Sequence, residues 1–283
     1  MQSFMERLFG RFNRQNNLTW ELSDDRRLVK TEIERELYAQ GSCKWVFRGF
    51  YANGPNAGDP CVAKFFKAVS STSFEEQLQN EFRVINMAQR IVQAWNSFQA
   101  PLARVAVSTP VVMSEDTADG AVCLVEPLLR LYRKHNDNGG WVDPSEDLWN
   151  QNMQALSHFS FHCTNGKVIL CDVQGGLYNN GYVLTDPAIL STTTGKYGLT
   201  DLGREGIIKF FENHQCNPFY CKSHWITPET LQCDDGSGKG DPRWNQPAPA
   251  RESRPKDNPR WKQAAPDMEV RSKKDPRWKR PSK

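Results

Sequence analysis

Two carboxylates stand at the ends of two short apolar runs in the segment VILCDVQGGLYNNGYVLTDP, residues 168–187. Asp172 follows the first run, Asp186 follows the second, and the pattern predicts two strands joined by a glycine-rich turn. Gln174 lies between the acids, and an amide oxygen beside carboxylates completes the hard-oxygen set that Mg²⁺ prefers. Magnesium bridges nucleotide phosphates and offsets the charge of phosphoryl transfer. Spacing alone also fits two acids that cap turns, but Gln174 favours a magnesium site.

A lysine lies in the middle of the strand-like run CVAKFFK, residues 61–67. By itself Lys64 fits an exposed strand lysine. A helical pattern with acids at Glu75, Glu76 and Glu81 follows, and the combination resembles a nucleotide-binding lysine that is anchored by a helix acid. The point charge of a lysine suits contact with phosphate oxygens.

Histidines and cysteines with metal-ligand character are His158, His214, Cys216 and Cys221. An imidazole and two thiolates in the segment HQCNPFYC need one more donor for tetrahedral Zn²⁺. The alternative is a buried histidine beside two free core cysteines. Because no open coordination position is evident, zinc here would be structural and would fasten the last helix to the body of the domain.

The elements that must position these residues follow from periodicity. Apolar residues at helical spacing predict a long amphipathic helix over 73–100, a second over 145–164 that ends near His158 or soon after, and a third over 204–216. Strands are predicted at 61–67, 102–107, 121–129, 167–173 and 181–187. The glycine string YGLTDLGREG, residues 197–206, fits a loop before a helix or a cradle for a phosphate or a peptide substrate. This order predicts an α+β fold of two lobes.

Composition separates a foldable body from a tail. The 283-residue chain has 38% hydrophobic residues and a net charge of +3. From Asp234 onward it carries 14 basic against 8 acidic residues and no Leu, Ile or Phe, so this part cannot bury a core. We therefore predict an N-terminal extension at 1–25, a folded domain at 26–232 and a disordered basic tail at 233–283.

The tail holds an internal repeat, with DPRW, NPRW and DPRW recurring at 241, 258 and 275. Nothing apolar lies between the copies, which excludes a solenoid. Arg and Trp can contact phosphates and bases, so weak binding of single-stranded nucleic acid is one interpretation. The Asp or Asn before each Pro favours docking of a partner protein.

Eight cysteines occur without a signal-peptide pattern or an apolar run near 18 residues. We therefore expect reduced thiols, a cytosolic or nuclear location and no membrane association.

Four stretches together resemble the atypical alpha-kinase family, the group of myosin heavy chain kinases and elongation factor 2 kinase. They are VEPLLRLYRKHNDNGG, FSFHCTNGKVILCDVQGG, LTDP and YGLTDLGREGIIKFFENHQCN. The resemblance runs in order from about Gly41 to Cys221. It implies a two-lobed, ATP- and Mg²⁺-dependent serine/threonine protein kinase domain, with no H-R-D or D-F-G triplet.

The resemblance also implies roles for single residues. Lys64 would contact ATP phosphate and Glu126 would lie against the adenosine end. The motif KxNxNxG, matched by Lys134, Asn136, Asn138 and Gly140, would frame the active site. Asp172 would act on the substrate hydroxyl, whereas Gln174 and Asp186 would hold Mg²⁺. A structural zinc would be bound by His158, His214, Cys216 and a last cysteine.

Three departures from the family pattern stand out. Four residues separate Cys216 from Cys221 where the family has three, and Tyr220 at the usual position cannot replace a thiolate well. Lys44, which we also predict to bind ATP, stands where the family has Arg. The lysine keeps the positive charge but lacks the bidentate fork of the guanidinium group. The loop between Gln174 and Asp186 is a few residues longer than in the family pattern. Because no catalytic group is missing, we predict an active kinase; the alternative is a pseudokinase scaffold whose tail binds a partner or nucleic acid.

Overall fold

The computed structural model describes residues 29–68, 72–98, 104–114, 121–178 and 181–229, with the backbone of Asn17–Leu22. The predicted tail and its repeats lie outside the described residues. The chain divides into two compact units. Among the described residues, the first unit contains those up to Phe74 together with Thr109–Leu128, and the second contains those of Glu75–Ser108 and of 129–229. This organisation confirms the predicted α+β fold of two lobes.

The described residues form strands β1–β12 and helices α1–α3. In chain order they are β1 Asn17–Leu22, β2 Lys30–Gln40, β3 Lys44–Tyr51, β4 Pro60–Phe66, α1 Phe74–Phe98, β5 Arg104–Val107, β6 Val111–Ser114, β7 Val122–Pro127, β8 Tyr132–Lys134, α2 Leu148–Cys163, β9 Val168–Cys171, β10 Gln174–Tyr178, β11 Gly181–Leu184, β12 Ala188–Ser191 and α3 Gly203–Asn213. Within the described part of the chain, no helix has the length and apolar character needed to span a membrane.

The first unit is a closed antiparallel barrel in the order β1-β2-β3-β4-β7-β6. Its strands are rich in β-branched and aromatic residues, which suit a pleated surface with one buried face. Phe47 and Phe65 meet edge to face in its core, with ring centroids 5.5 Å apart. Strand β1 lies within the segment 1–25 that was predicted as an extension, so the barrel begins before residue 26. Strand β6 was not predicted.

The second unit begins with α1, which confirms the long amphipathic helix predicted over 73–100. Five of its buried side chains, most of them three or four residues apart, face one hydrophobic core: Val84, Ala88, Ile91, Val92 and Trp95. Glu75 and Glu76 lie in the first turn, where carboxylates interact favourably with the helix dipole.

Two sheets in the second unit hold the segment between the aspartates. One has the order β5-β11-β10-β8 and the other pairs β12 with β9. The glycine-rich turn predicted after Gln174 is wrong, because Gln174–Tyr178 form strand β10, paired on both sides. A Cβ atom on Gly175 would lie 1.9 Å from the carbonyl oxygen of Val183, so glycine at this position permits close pairing of β10 and β11. The sequence prediction also missed β8 and β12.

The other two helices differ slightly from their predicted bounds. Helix α2 begins after Asp147, whose carboxylate accepts a hydrogen bond from the Asn150 N–H at 3.0 Å, and ends at Cys163. Helix α3 ends at Asn213 instead of continuing to residue 216. His214 and Cys216 therefore follow the helix in extended chain.

Candidate active site

The two aspartates lie where the chain passes from one sheet of the second unit to the other. Asp172 connects β9 to β10, and Asp186 connects β11 to β12. Cys171 pairs with Ala188, so both acids lie at the same end of the β9–β12 sheet. Each adopts a left-handed backbone, with φ of 50° at Asp172 and 46° at Asp186. Such conformations are uncommon for non-glycine residues and cluster at functional sites.

Asp172 is paired with Lys134, whose Nζ donates to Asp172 Oδ1 at 2.5 Å. Both side chains are mostly buried, with 15% of Asp172 and 17% of Lys134 exposed. Burial raises the pKa of Asp172 above its ordinary value. Lys134 opposes this rise, whereas the charges of Asp137 and Asp186 add to it. Lys134, which the resemblance assigns to framing the active site, thus contacts the predicted catalytic acid directly.

Gln174 connects the start of β10 to the second aspartate. Its Nε2 donates to the backbone oxygen of Asp186 at 3.2 Å, and its Oε1 accepts from the Tyr132 hydroxyl at 2.7 Å. A carbonyl oxygen has two acceptor positions, of which Tyr132 occupies one. Amide and carboxylate oxygens, such as those of Gln174 and the two aspartates, are donors of the kind that Mg²⁺ prefers.

Tyr132 is a site residue that the sequence prediction missed. It lies on β8, and successive side chains of a strand point to opposite faces. Tyr132 and Lys134 therefore share the face that reaches Gln174 and Asp172, whereas Arg133 turns to Asp143 and Asp147. The alternation Tyr-Arg-Lys was visible in the sequence, but a three-residue strand is too short to be recognised from its pattern.

In the barrel unit, Lys64 forms an ion pair with Glu126. The Nζ–Oε1 distance is 2.8 Å, and the side chains are only 4% and 3% exposed. Lys64 is therefore not an exposed strand residue. The acid of this ion pair, Glu126, lies on strand β7. The adenosine contact that the resemblance implies for Glu126 stays a prediction. Lys44, on β3, places its Nζ 5.5 Å from the centre of the Phe66 ring.

Asn138 holds the glycine string of residues 197–206. Its Nδ2 donates to the backbone oxygen of Thr200 at 2.8 Å. The next residue, Asp201, is buried and accepts hydrogen bonds from the backbone N–H groups of Ser191, Tyr197 and Gly203. The string is thus an ordered loop that leads into α3. Its interpretation as a phosphate or peptide cradle stays a prediction.

The four predicted zinc ligands converge in the second unit. One donor atom from each of His158, His214, Cys216 and Cys221 lies within 4.8 Å of all the others. His158 Nδ1 is 3.4 Å from Cys216 Sγ, and His214 Nε2 is 3.5 Å from Cys221 Sγ. The four-residue spacing therefore still brings Cys221 to the cluster.

The surroundings of this cluster suit a metal ion. His158 Nε2 lies 3.2 Å from the Ile226 oxygen, so a proton on Nε2 leaves the Nδ1 lone pair facing the cluster. Burial lowers the pKa of His158 to about 4 and that of His214 to about 3, which keeps both rings neutral. Burial raises the pKa of Cys221 to about 12 without a metal, and coordination would deprotonate the thiol. The donor set fits tetrahedral Zn²⁺.

Comparison with solved structures defines the class of this fold. It matches the alpha-kinase domain of myosin heavy chain kinase A in complex with AMP with a TM-score of 0.57 at 22% identity, covering 71% of this chain and 94% of that one. The same domain complexed with ATP covers 74% of this chain and 97% of that one at 21% identity, with a TM-score of 0.57. The architecture is that of an alpha-kinase domain.

The chain belongs to the alpha-kinase family, whose model matches residues 39–221. Alpha-protein kinase 1 of Dictyostelium discoideum is 31% identical over 209 residues, 71% of this chain and 14% of that protein. Myosin heavy chain kinase B of the same organism is 27% identical over 215 residues, 74% of this chain and 28% of that protein. Human eukaryotic elongation factor 2 kinase is 36% identical over 100 residues, 35% of this chain and 13% of that protein. The match thus spans less than a third of each relative.

Proposed function

We propose that this chain is an ATP- and Mg²⁺-dependent protein kinase that transfers the γ-phosphate to serine or threonine. The observation that carries the proposal is the group formed by Asp172, Lys134, Gln174 and Asp186 in a chain of the alpha-kinase family. The alpha-kinase domain of a relative has been solved with ATP and with AMP-PNP, which supports a nucleotide as the phosphate donor.

Each side chain has a task in this proposal. Lys64 contacts the α- and β-phosphates, and Glu126 holds the lysine in one rotamer. Asp172 orients the substrate hydroxyl and accepts its proton late, as the new O–P bond forms and the bond to the ADP oxygen breaks. Lys134 keeps Asp172 in place and lowers its pKa, which favours the ionised form that accepts a proton.

Gln174 and Asp186 would hold the magnesium ion through their side-chain oxygens. When bound, magnesium supplies positive charge that offsets the charge on the phosphate oxygens. Tyr132 fixes the Gln174 amide, so the donor oxygen keeps its orientation. Because phosphoryl transfer depends mainly on positioning and electrostatics, loss of one of these groups lowers the rate by orders of magnitude.

The test is transfer of radiolabelled phosphate from ATP to a threonine-containing basic peptide. The native chain is compared with Asp186→Ala and Asp172→Ala, with and without Mg²⁺, and Glu212→Ala on the exposed face of α3 is the control. We expect transfer by the native chain and the control only with Mg²⁺, and a loss of at least about 100-fold in both aspartate variants. Phosphoamino-acid analysis of the product identifies serine or threonine.

Two outcomes would contradict the proposal. Equal transfer by Asp186→Ala and the native chain would remove the metal role of this acid. Nucleotide binding by the native chain without transfer under any divalent metal would reject the kinase activity and leave the pseudokinase scaffold.

We also propose that the cluster of His158, His214, Cys216 and Cys221 binds one structural Zn²⁺. The convergence of two imidazoles and two thiols, with the His158 tautomer set by Ile226, supports it. The cluster joins α2 to the segment after α3, so the metal would stabilise the second unit.

A further inference from the structure

Asn136 is completely buried, although it lies two residues after Lys134 in the loop that leaves β8. Its Oδ1 accepts from the Val173 N–H at 3.0 Å. Its Nδ2 donates to Gln154 Oε1 at 3.1 Å and to Ser157 Oγ at 2.9 Å. A side chain with 0% exposure cannot touch ATP or a protein substrate, so any role in the reaction must be exerted through its neighbours.

The hydrogen bond to Val173 replaces a missing backbone bond. Strand β8 pairs with β10 as far as Lys134 and Gln174, and the His135 N–H still donates to the Val173 oxygen at 2.8 Å. The reciprocal acceptor for the Val173 N–H would be the His135 oxygen. That oxygen instead accepts from the Asp143 N–H at 2.8 Å and from Gln154 Nε2 at 2.6 Å. The Asn136 amide therefore takes the place of a strand carbonyl at the point where the regular ladder ends.

This point directly follows Asp172. The chain turns there with φ of 50°, a conformation that costs free energy in a non-glycine residue and persists only when the surrounding contacts hold it. Val173 is held on both sides, at its oxygen by His135 and at its N–H by Asn136. Resting on the kinase function proposed above, we infer that Asn136 is a positioning residue for Asp172, and that its carboxamide keeps the Asp172 carboxylate against Lys134.

Helix α2 supplies the support for this amide. Gln154 and Ser157 lie one turn apart on the buried face of α2, and both accept from Asn136. Ser157 directly precedes His158 of the predicted zinc cluster. The orientation of the Asn136 amide is thus fixed by a helix that is itself packed in the core, which limits how far Val173 and Asp172 can move.

The experiment compares Asn136→Ala with the native chain and with Ser160→Ala. Ser160 lies on α2, as Gln154 and Ser157 do. It is a matched control because its buried Oγ also accepts a hydrogen bond from a strand amide, the Leu170 N–H, at 2.7 Å. Its strand partner lies two residues before Asp172. Peptide phosphorylation is measured for kcat and for the KM of ATP, and unfolding in urea gives the stability of each variant.

We expect kcat of Asn136→Ala to fall about 10- to 100-fold, because a small misplacement of a reacting group costs this much. The KM for ATP stays within about twofold. Ser160→Ala loses stability but keeps the native kcat. Ser157→Ala, which removes one acceptor of the Asn136 amide and keeps the bond to Val173, gives a smaller fall in kcat.

Ser157→Ala keeps the test decisive if Asn136→Ala does not fold. The inference is overturned if the folded Asn136 or Ser157 variants retain the native kcat, or if Ser160→Ala lowers kcat to the same degree. A native chain that transfers no phosphate would instead reject the proposed function. A native chain that is active, and that Asp172→Asn inactivates, locates any failure in the role of Asn136 alone.

Discussion

At the scale of single residues, the ion pair of Lys64 and Glu126 places two charged side chains in a buried position. Both side chains lie in the barrel unit at 4% and 3% exposure. Burying two charges costs desolvation that their mutual attraction only partly offsets, and an unpaired buried charge is much worse. We infer that the pair serves the proposed phosphate contact of Lys64 and contributes little to the stability of the barrel.

A double-mutant cycle tests this conclusion. Lys64→Met and Glu126→Gln each leave one buried group without its charged partner, and we expect Lys64→Met to lower the free energy of unfolding by about 3 kcal/mol. The double variant should be more stable than Lys64→Met, since it leaves no uncompensated charge. Urea unfolding measures the stabilities and ATP-dependent transfer measures the activity, which we expect to be absent in the double variant.

The result that would contradict this interpretation is additivity. If the two single losses sum to the loss in the double variant, the residues do not act as a pair. Retention of near-native turnover by either Lys64 variant would remove the lysine from the phosphate-binding role.

At the scale of elements, close strand pairing fixes the geometry of the candidate active site. Strand β10 carries Gln174 at its start and lies between β8, which carries Tyr132 and Lys134, and β11, which leads to Asp186. The space beside Gly175 is filled by the backbone of Val183 and Leu184. Because Gly175 has no side chain, β11 can pack closely against β10. Gly175 thereby helps to set the position of Asp186, which follows β11.

Gly175→Ala is therefore expected to destabilise the second unit by at least about 3 kcal/mol, because the backbone itself must move to admit the Cβ atom. For a domain of this size the melting temperature should fall by about 10 °C. Gly139→Ala is the matched control, since its Cβ would meet only the Asp137 carboxylate, at 3.4 Å. Thermal unfolding followed by circular dichroism measures both, and equal melting temperatures for the two variants would show that β10 and β11 can separate at little cost.

At the scale of the whole molecule, the second unit brings distant parts of the chain together at the predicted zinc cluster. His158 lies on α2, whereas His214, Cys216 and Cys221 follow α3. Trp225 packs against His158 with ring centroids 5.3 Å apart and continues the aromatic core that contains Trp95. A metal at this cluster would therefore connect the last described segment to the core.

We expect the purified chain to contain one zinc ion, measured by mass spectrometry under native conditions. Removal by a chelator should lower the melting temperature by about 10 °C or more, because metal-binding free energy contributes to folding. Cys221→Ser should lower zinc affinity by at least about 10-fold. Cys163→Ser, a half-buried cysteine of α2 outside the cluster, is the control and should retain the metal. Full zinc content in Cys221→Ser would remove this residue from the ligand set.

Part of the site was predictable because it depends on residue type and local order. The aspartates, Gln174, Lys64 and the four predicted zinc ligands are chemically distinctive side chains next to apolar runs, and the family resemblance predicted their roles. Helix α1 was predictable because its apolar spacing extends over seven turns. The short strands β6, β8 and β12 were missed, since three or four residues give too little periodicity to distinguish a strand from a loop.

The sequence by itself determined the foldable body, the family and which side chains are available for chemistry, because these follow from composition, periodicity and motif. Only the tertiary structure decided the partners. Glu126 pairs with Lys64, Lys134 with Asp172, Tyr132 with Gln174 and Asn136 with Val173. These pairings join residues 37 to 62 positions apart, and such contacts depend on strand register and close packing, which no local pattern encodes.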